Sequence, residues 1–183
     1  MRGRLPGWIE GLRARLTLGR LARLGAELLL FIAVLVGAEW FLTRDAARGP
    51  APPIEATLTS GETFSLSALQ GRPALVYFWA EWCPVCATNQ GAMDALLADH
   101  PAVTVAMQSG PAADVQAYLD RHRLRWPTVA DESGALARLY GVRGVPAVFV
   151  LDRQGEVRFV TRGYTTGPGL RVRLWLAGLG SAR

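Results

Sequence analysis

Two cysteines three residues apart, placed where an apolar strand gives way to a helix, constrain this chain more than any other feature. The stretch Phe78-Trp79-Ala80-Glu81-Trp82-Cys83-Pro84-Val85-Cys86 holds the only two cysteines of the sequence. It follows the strand-like run Ala74 to Trp79 and precedes the helix-like run Ala87 to Ala98. Thiols at i and i+3 of a helix start can close a disulfide across one turn. The first of them lies where unpaired backbone N–H groups and the helix dipole favour negative charge on sulfur. Those are the physical needs of thiol–disulfide exchange, and redox chemistry is the leading reading.

Half of a zinc site has the same C-x-x-C spacing, but four ligands would need two more Cys or His. The chain has no third cysteine, and His100 and His122 stand apart from the motif and from each other. No metal site is expected. A structural disulfide over so short a loop would constrain the unfolded chain weakly. Soft thiolates also bind Cu(I), so a copper(I)-binding or chaperone module using the same two cysteines stands as the alternative.

A second feature lies upstream. Leu28 to Ala38 is uninterrupted apolar sequence, extended by Leu24 to Ala26 and by Trp40 to Leu42. Residues 24–43 thus approach the ~20 residues that a bilayer core needs. Glu27 and Glu39 lie near the ends, where a carboxylate can reach the headgroups. The net charge of +5 comes from twenty arginines and fifteen acids, with no lysine. Seven of those arginines and three of the acids fall in residues 1–44, which leaves thirteen and twelve for the rest. The basicity is therefore N-terminal, and nothing argues for a nucleic-acid partner.

Arginines before the span place the N-terminus in the cytoplasm and the remainder beyond the inner (cytoplasmic) membrane, in the periplasm. Four regions follow. Residues 1–23 are a basic cytoplasmic segment, amphipathic from Trp8 to Leu24. Residues 24–43 are a transmembrane signal-anchor, residues 44–53 an Ala-, Gly- and Pro-rich linker, and residues 54–183 the folded domain. A signal peptide cleaved after Val36-Gly37-Ala38 would have an unusually long n-region.

From Ile54 the patterning alternates between strand and helix. It predicts a hairpin around Thr57 to Phe64, a strand at 74–79, a helix from Cys83 to about Asp99, and a strand at 103–107. A helix over 112–122, a short strand at 128–129 and a short helix at 134–140 follow. Strands at 147–151 and 157–161, joined by Asp152-Arg153-Gln154-Gly155, precede a C-terminal helix from Leu170. That order is an α/β arrangement.

The cysteine motif and, sixty residues on, Gly141-Val142-Arg143-Gly144-Val145-Pro146-Ala147-Val148-Phe149-Val150 resemble the thioredoxin superfamily. The lead-in Phe64 to Pro73 resembles its TlpA-like, membrane-anchored bacterial branch. Cys-Pro-Val-Cys, Asn89-Gln90 and Val105 to Gly110 are similar to the suppressor-for-copper-sensitivity protein D type. The resemblance covers Ile54 to Ala177. It implies a thioredoxin-like fold, a central mixed β-sheet flanked by helices, here behind an N-terminal transmembrane helix. It also implies protein disulfides or dithiols as substrates and a membrane thiol reductase as electron donor. Copper-stress proteins or cytochrome maturation factors are the clients suggested by the subgroup. No cofactor is implied beyond the Cys83–Cys86 disulfide.

Cys83 is expected as the exposed nucleophile and Cys86, one turn on and more buried, as the resolving thiol. Pro84 suits the first helical turn, and Trp82 should flank the nucleophile while Trp79 packs beneath it. The resemblance implies a cis Pro146 facing the cysteines, with Val145 offering backbone hydrogen bonds to substrate. Thioredoxins proper carry a buried aspartate where this chain has Tyr77, and the closest reductases often carry a glutamate where it has Asn89. Glu81, the nearest carboxylate in sequence, is the candidate base. Pro84-Val85 lacks the histidine that marks strong oxidants. Met93 reads as core, and Met107-Gln108-Ser109-Gly110 as a loop ending a parallel strand near the site.

Overall fold

The computed structural model describes residues 23–34, 37 and 46–180. Its contacts divide the chain into two units, Met1–Arg44 and Asp45–Arg183. In the first, residues 23–34 form helix α1, every one of them exposed. Among the described residues no helix is long and apolar enough to cross a membrane. Positions 35, 36 and 38–43 of the expected 24–43 span lie outside the described residues, as does the amphipathic stretch before residue 23.

In the second unit, six consecutive apolar residues, Ala74–Trp79 (β4), are all buried, because the strand is covered on both faces. β4 pairs parallel with Ala102–Met107 (β5) and antiparallel with Ala147–Leu151 (β7). Gly49–Pro50 (β1), Glu156–Arg162 (β8) and Thr128–Asp131 (β6) complete a mixed sheet of order β1-β8-β7-β4-β5-β6. Glu55–Thr57 (β2) and Thr63–Ser65 (β3) form a separate hairpin. The turn between β7 and β8 is held by Asp152, whose Oδ1 accepts the N–H groups of Gln154 (2.9 Å) and Glu156 (3.0 Å).

Alternation along β4 sorts the core into two layers. Leu75, Tyr77 and Trp79 pack with residues of Pro84–Asp99 (α2), Ala112–Arg121 (α3) and Gly167–Leu179 (α5), among them Met93, Leu96, Val115, Leu119, Leu170 and Leu174. Val76 and Phe78 pack with Val103, Val105, Phe149, Tyr140 and, from Ala135–Leu139 (α4), Ala137. The expected mixed α/β sheet with helices on both faces is the one that forms. α5 begins at Gly167 rather than Leu170, because the Thr166 side chain accepts the Gly169 N–H (3.3 Å) and Pro168 tolerates the first turn.

Residues 46–53, expected as linker, are instead docked on the domain. Ala46 is buried, the Ala47 N–H donates to the Tyr140 carbonyl (3.0 Å), and Gly49 pairs with Val157. The Ala51 N–H donates to the Gly155 carbonyl (3.0 Å), and the Tyr140 hydroxyl donates to the Pro52 carbonyl (2.6 Å). The composition suits a flexible tether. It also suits an edge strand, and β8 would otherwise present open backbone groups there.

Candidate active site

α2 starts at the end of β4, and its first turn is built from the cysteine motif. Cys83 is the N-cap residue, Pro84 opens the helix, and the Cys86 N–H donates to the Cys83 sulfur (3.2 Å). The sulfur thus occupies the acceptor position that Ser or Asp commonly fills, facing the positive end of the helix. Both cysteines are free thiols. The Cys83 thiol in turn donates to the Val145 carbonyl (3.5 Å), and the Val145–Pro146 bond is cis. Cys83, Cys86, Val145 and Pro146, distant in sequence, therefore meet.

The expected contrast in exposure does not hold. Cys83 and Cys86 are each 5% exposed, because the Cys83 side chain turns in between the α2 backbone and the Val145 carbonyl. The surface around them is made by Trp82, Pro84 and Val85, all exposed. What sets Cys86 apart is its environment. Burial pushes its thiol up to about 12, and the Cys83 sulfur adds to the rise. The Ala80 backbone and the Tyr77 hydroxyl pull the other way.

Beneath the cysteines lies an aromatic platform. Trp126 meets Tyr77 edge-on (5.8 Å between centroids, 70°) and Trp79 edge-on (5.5 Å, 90°). The Trp79 indole N–H donates to Thr104 Oγ1 (3.1 Å). Thr128 donates its only hydroxyl proton to the Trp126 carbonyl (3.0 Å), so Thr104 must be the donor in the 2.7 Å Thr104–Thr128 bond. This buried chain is complete. Tyr77 differs: among the described residues its hydroxyl has no aligned hydrogen-bond partner, although it lies against Cys86 closely enough for each to alter the other's proton affinity. Asn89, fully buried one turn after Cys86, also has neither amide atom paired among the described residues.

Glu81 is not brought to Cys86. Its residue is exposed, its N–H donates to Ser109 Oγ (3.1 Å), and it lines a surface cleft of about 460 Å³ with Trp82, Asp114 and Arg121, which neither cysteine lines. A loop residue ahead of the helix projects outward, away from the buried resolving thiol. Trp82 is 57% exposed, with its indole N–H on the Gln108 carbonyl (3.0 Å). Gln108 has φ +48°, an uncommon backbone state for a non-glycine residue. Residues 107–110 thus clamp Glu81 and Trp82 at the end of β5, and Met93 is wholly core. Among the described residues no group of three or more His, Cys, Asp or Glu comes together as a metal site.

Sequence reasoning missed the Tyr77–Cys86 proximity and the part played by Trp126. Strand alternation signals that Tyr77 and Trp79 share a face, but nothing local announces Trp126.

The family model described as the AhpC/TSA family matches residues 47–160. The chain belongs to the AhpC/TSA family. The chain is 33% identical over 160 residues to the thioredoxin-like protein of Haemophilus influenzae, covering 86% of this chain and 95% of that one. It is 27% identical over 150 residues to the thiol-disulfide oxidoreductase ResA of Halalkalibacterium halodurans, covering 76% of this chain and 85% of ResA. It superposes on the structure of MTB DsbF in its mixed oxidized and reduced forms with a TM-score of 0.61 and 28% identity, covering 68% of this chain and 94% of that one. The fold is thioredoxin-like, and the chain is a thiol–disulfide oxidoreductase of the thioredoxin type.

Proposed function

We propose that this oxidoreductase is a membrane-tethered, periplasmic reductase of protein disulfides, acting through the Cys83–Cys86 dithiol and recharged by a membrane thiol reductase. The observation that carries the reading is the pair of free thiols at the start of α2, one capping the helix and the other held protonated by burial. The apolar run 24–43 and the arginines before it support the tether and its orientation.

In the forward reaction the Cys83 thiolate attacks a substrate disulfide. A mixed disulfide forms and one substrate thiolate leaves. Cys86 then gives up its proton to solvent and attacks the Cys83 sulfur, which closes the Cys83–Cys86 disulfide and releases the second substrate thiolate. Two electrons pass from the dithiol to the substrate. The helix N-terminus stabilises charge on the Cys83 sulfur. The Val145–Pro146 edge and the exposed Trp82 would hold an extended substrate segment beside it. Pro84 stiffens the turn between the sulfurs. No cofactor or metal takes part, since the dithiol itself carries the electrons.

One experiment tests both the chemistry and its direction. Wild-type and Cys83→Ser protein are assayed for insulin-disulfide reduction, and the wild-type couple is equilibrated against glutathione. Loss of activity in Cys83→Ser and a potential near roughly −270 mV, as in thioredoxin, are expected. Full activity without Cys83 would overturn the mechanism, and a potential near roughly −120 mV would reverse the direction.

A further inference from the structure

Tyr77 is the buried group that the exchange scheme above leaves unused. Its ring is wholly buried and fixed edge-on against Trp126, so the hydroxyl cannot turn out to solvent. Tyr77 and Cys86 line one interstice together with Trp79, Gln90, Tyr118 and Trp126, and this space is too tight to admit a water molecule. No water can therefore satisfy the hydroxyl or solvate the sulfur there. The two neighbouring indoles are committed elsewhere: Trp79 donates to Thr104 and Trp126 to Asp94 Oδ1 (2.9 Å). Asn89 does not line the interstice.

An unpaired hydroxyl in such a place costs stability unless something else uses it. Negative charge developing on the Cys86 sulfur would be the use, since both indole N–H groups of the interstice are already committed. We propose that Tyr77 is a positioning residue for the resolving step, its O–H donating to the Cys86 sulfur as charge appears there. The inference rests on the exchange reading above.

Tyr77 keeps its proton throughout. Burial, and next the charge of Cys86, push the phenol far above its ordinary range, which makes it a donor and not a base. In the step itself the Cys86 S–H bond breaks and its proton passes to solvent. The Cys86 sulfur bonds to Cys83, the bond from Cys83 to the substrate sulfur breaks, and the substrate leaves as a thiolate that takes up a proton. The titratable groups facing Cys86 are Cys83 from the turn, Tyr77 from β4 and Tyr118 from α3, with Glu81 and Arg121 acting on Tyr118 from beyond it.

The test uses the full chain and Tyr77→Phe, each charged at Cys83 with one equivalent of 5,5′-dithiobis(2-nitrobenzoate). Release of the second thionitrobenzoate reports the attack by Cys86, and it is followed against pH. Tyr77→Phe should slow this release about tenfold or more, the size expected for one hydrogen bond to a charged atom. It should also move the pH profile upward by about one unit and leave the first attack by Cys83 unchanged. An unchanged release rate and profile would overturn the proposal and leave the hydroxyl a buried orphan. Should Tyr77→Phe not fold, 3-fluorotyrosine at position 77, a stronger donor of nearly the same shape, must lower the midpoint; an unmoved midpoint overturns the proposal equally. Failure of wild-type Cys83 to form the adduct would sink the exchange reading itself and this inference with it.

Discussion

Two tyrosines, buried on opposite faces of the same sheet, show how differently the molecule treats its two cores. Tyr140 and Tyr77 are both wholly buried, and burial raises the proton affinity of each hydroxyl. Tyr140 donates to the Pro52 carbonyl at 2.6 Å and packs against Phe78 and Phe149, with ring centroids at 5.1 Å from each. Its polar end is spent on closing the N-terminal segment over the fold. Tyr77 packs against Trp126, and its hydroxyl is left facing the Cys86 thiol without an aligned bond. One face is finished as structure, while the other keeps polar capacity in reserve beside the reacting sulfurs.

The comparison can be broken most decisively at Phe149, at the centre of the finished face. Phe149→Ala should lower unfolding free energy by about 3–5 kcal/mol through lost burial and a residual cavity. Insulin reduction per folded molecule should stay as in wild type. A rate loss in fully folded protein would mean that the two faces are not separable.

Tyr140→Phe sharpens the contrast at the level of one hydroxyl. It leaves the Pro52 carbonyl without its donor and should cost about 1–2 kcal/mol in urea denaturation. Tyr77→Phe should cost nothing or stabilise slightly. Equal losses in the two variants would contradict the view that one hydroxyl is structural and the other held in reserve.

The smallest expected effect is in pH dependence. The folded Cys86 thiol, at about 12 against an ordinary 9.0, holds its proton more tightly than in the unfolded chain. Unfolding above pH 9 therefore releases a proton, and the contribution of Cys86, fully present below about 9, is lost as pH rises toward about 12. Reduced protein should be about 1 kcal/mol less stable at pH 10 than at pH 8. Cys86→Ser should remove about 1 kcal/mol of the difference and leave the smaller share of the buried tyrosines, and a Cys86→Ser protein with the full loss would refute the assignment.

Much of the site was legible because it is local. The apolar run Ala74–Trp79, the C-x-x-C after it and Pro84 at the first helical position define a strand, a turn and a helix start within a dozen residues. Trp79 was expected beneath the site, and the Gly-Val-Pro approach to β7 marked Pro146 by family resemblance. The edge strand at Gly49–Pro50 was read as linker because Pro and Gly serve both purposes, and the partner that decides between them is β8, far along the chain. Glu81 was preferred as a base on sequence proximity, which carries no information about side-chain direction out of a turn.

The sequence by itself determined the order of elements and the pairing of two thiols across one helical turn, because strand and helix periods are properties of neighbouring residues. Only the tertiary structure decided how those thiols are solvated. The Val145 carbonyl over Cys83, the Trp126 ring beneath Cys86 and the exclusion of water around the Tyr77 hydroxyl all come from segments distant in the chain. Desolvation depends on everything that packs around a group, so a chain segment read alone cannot report it.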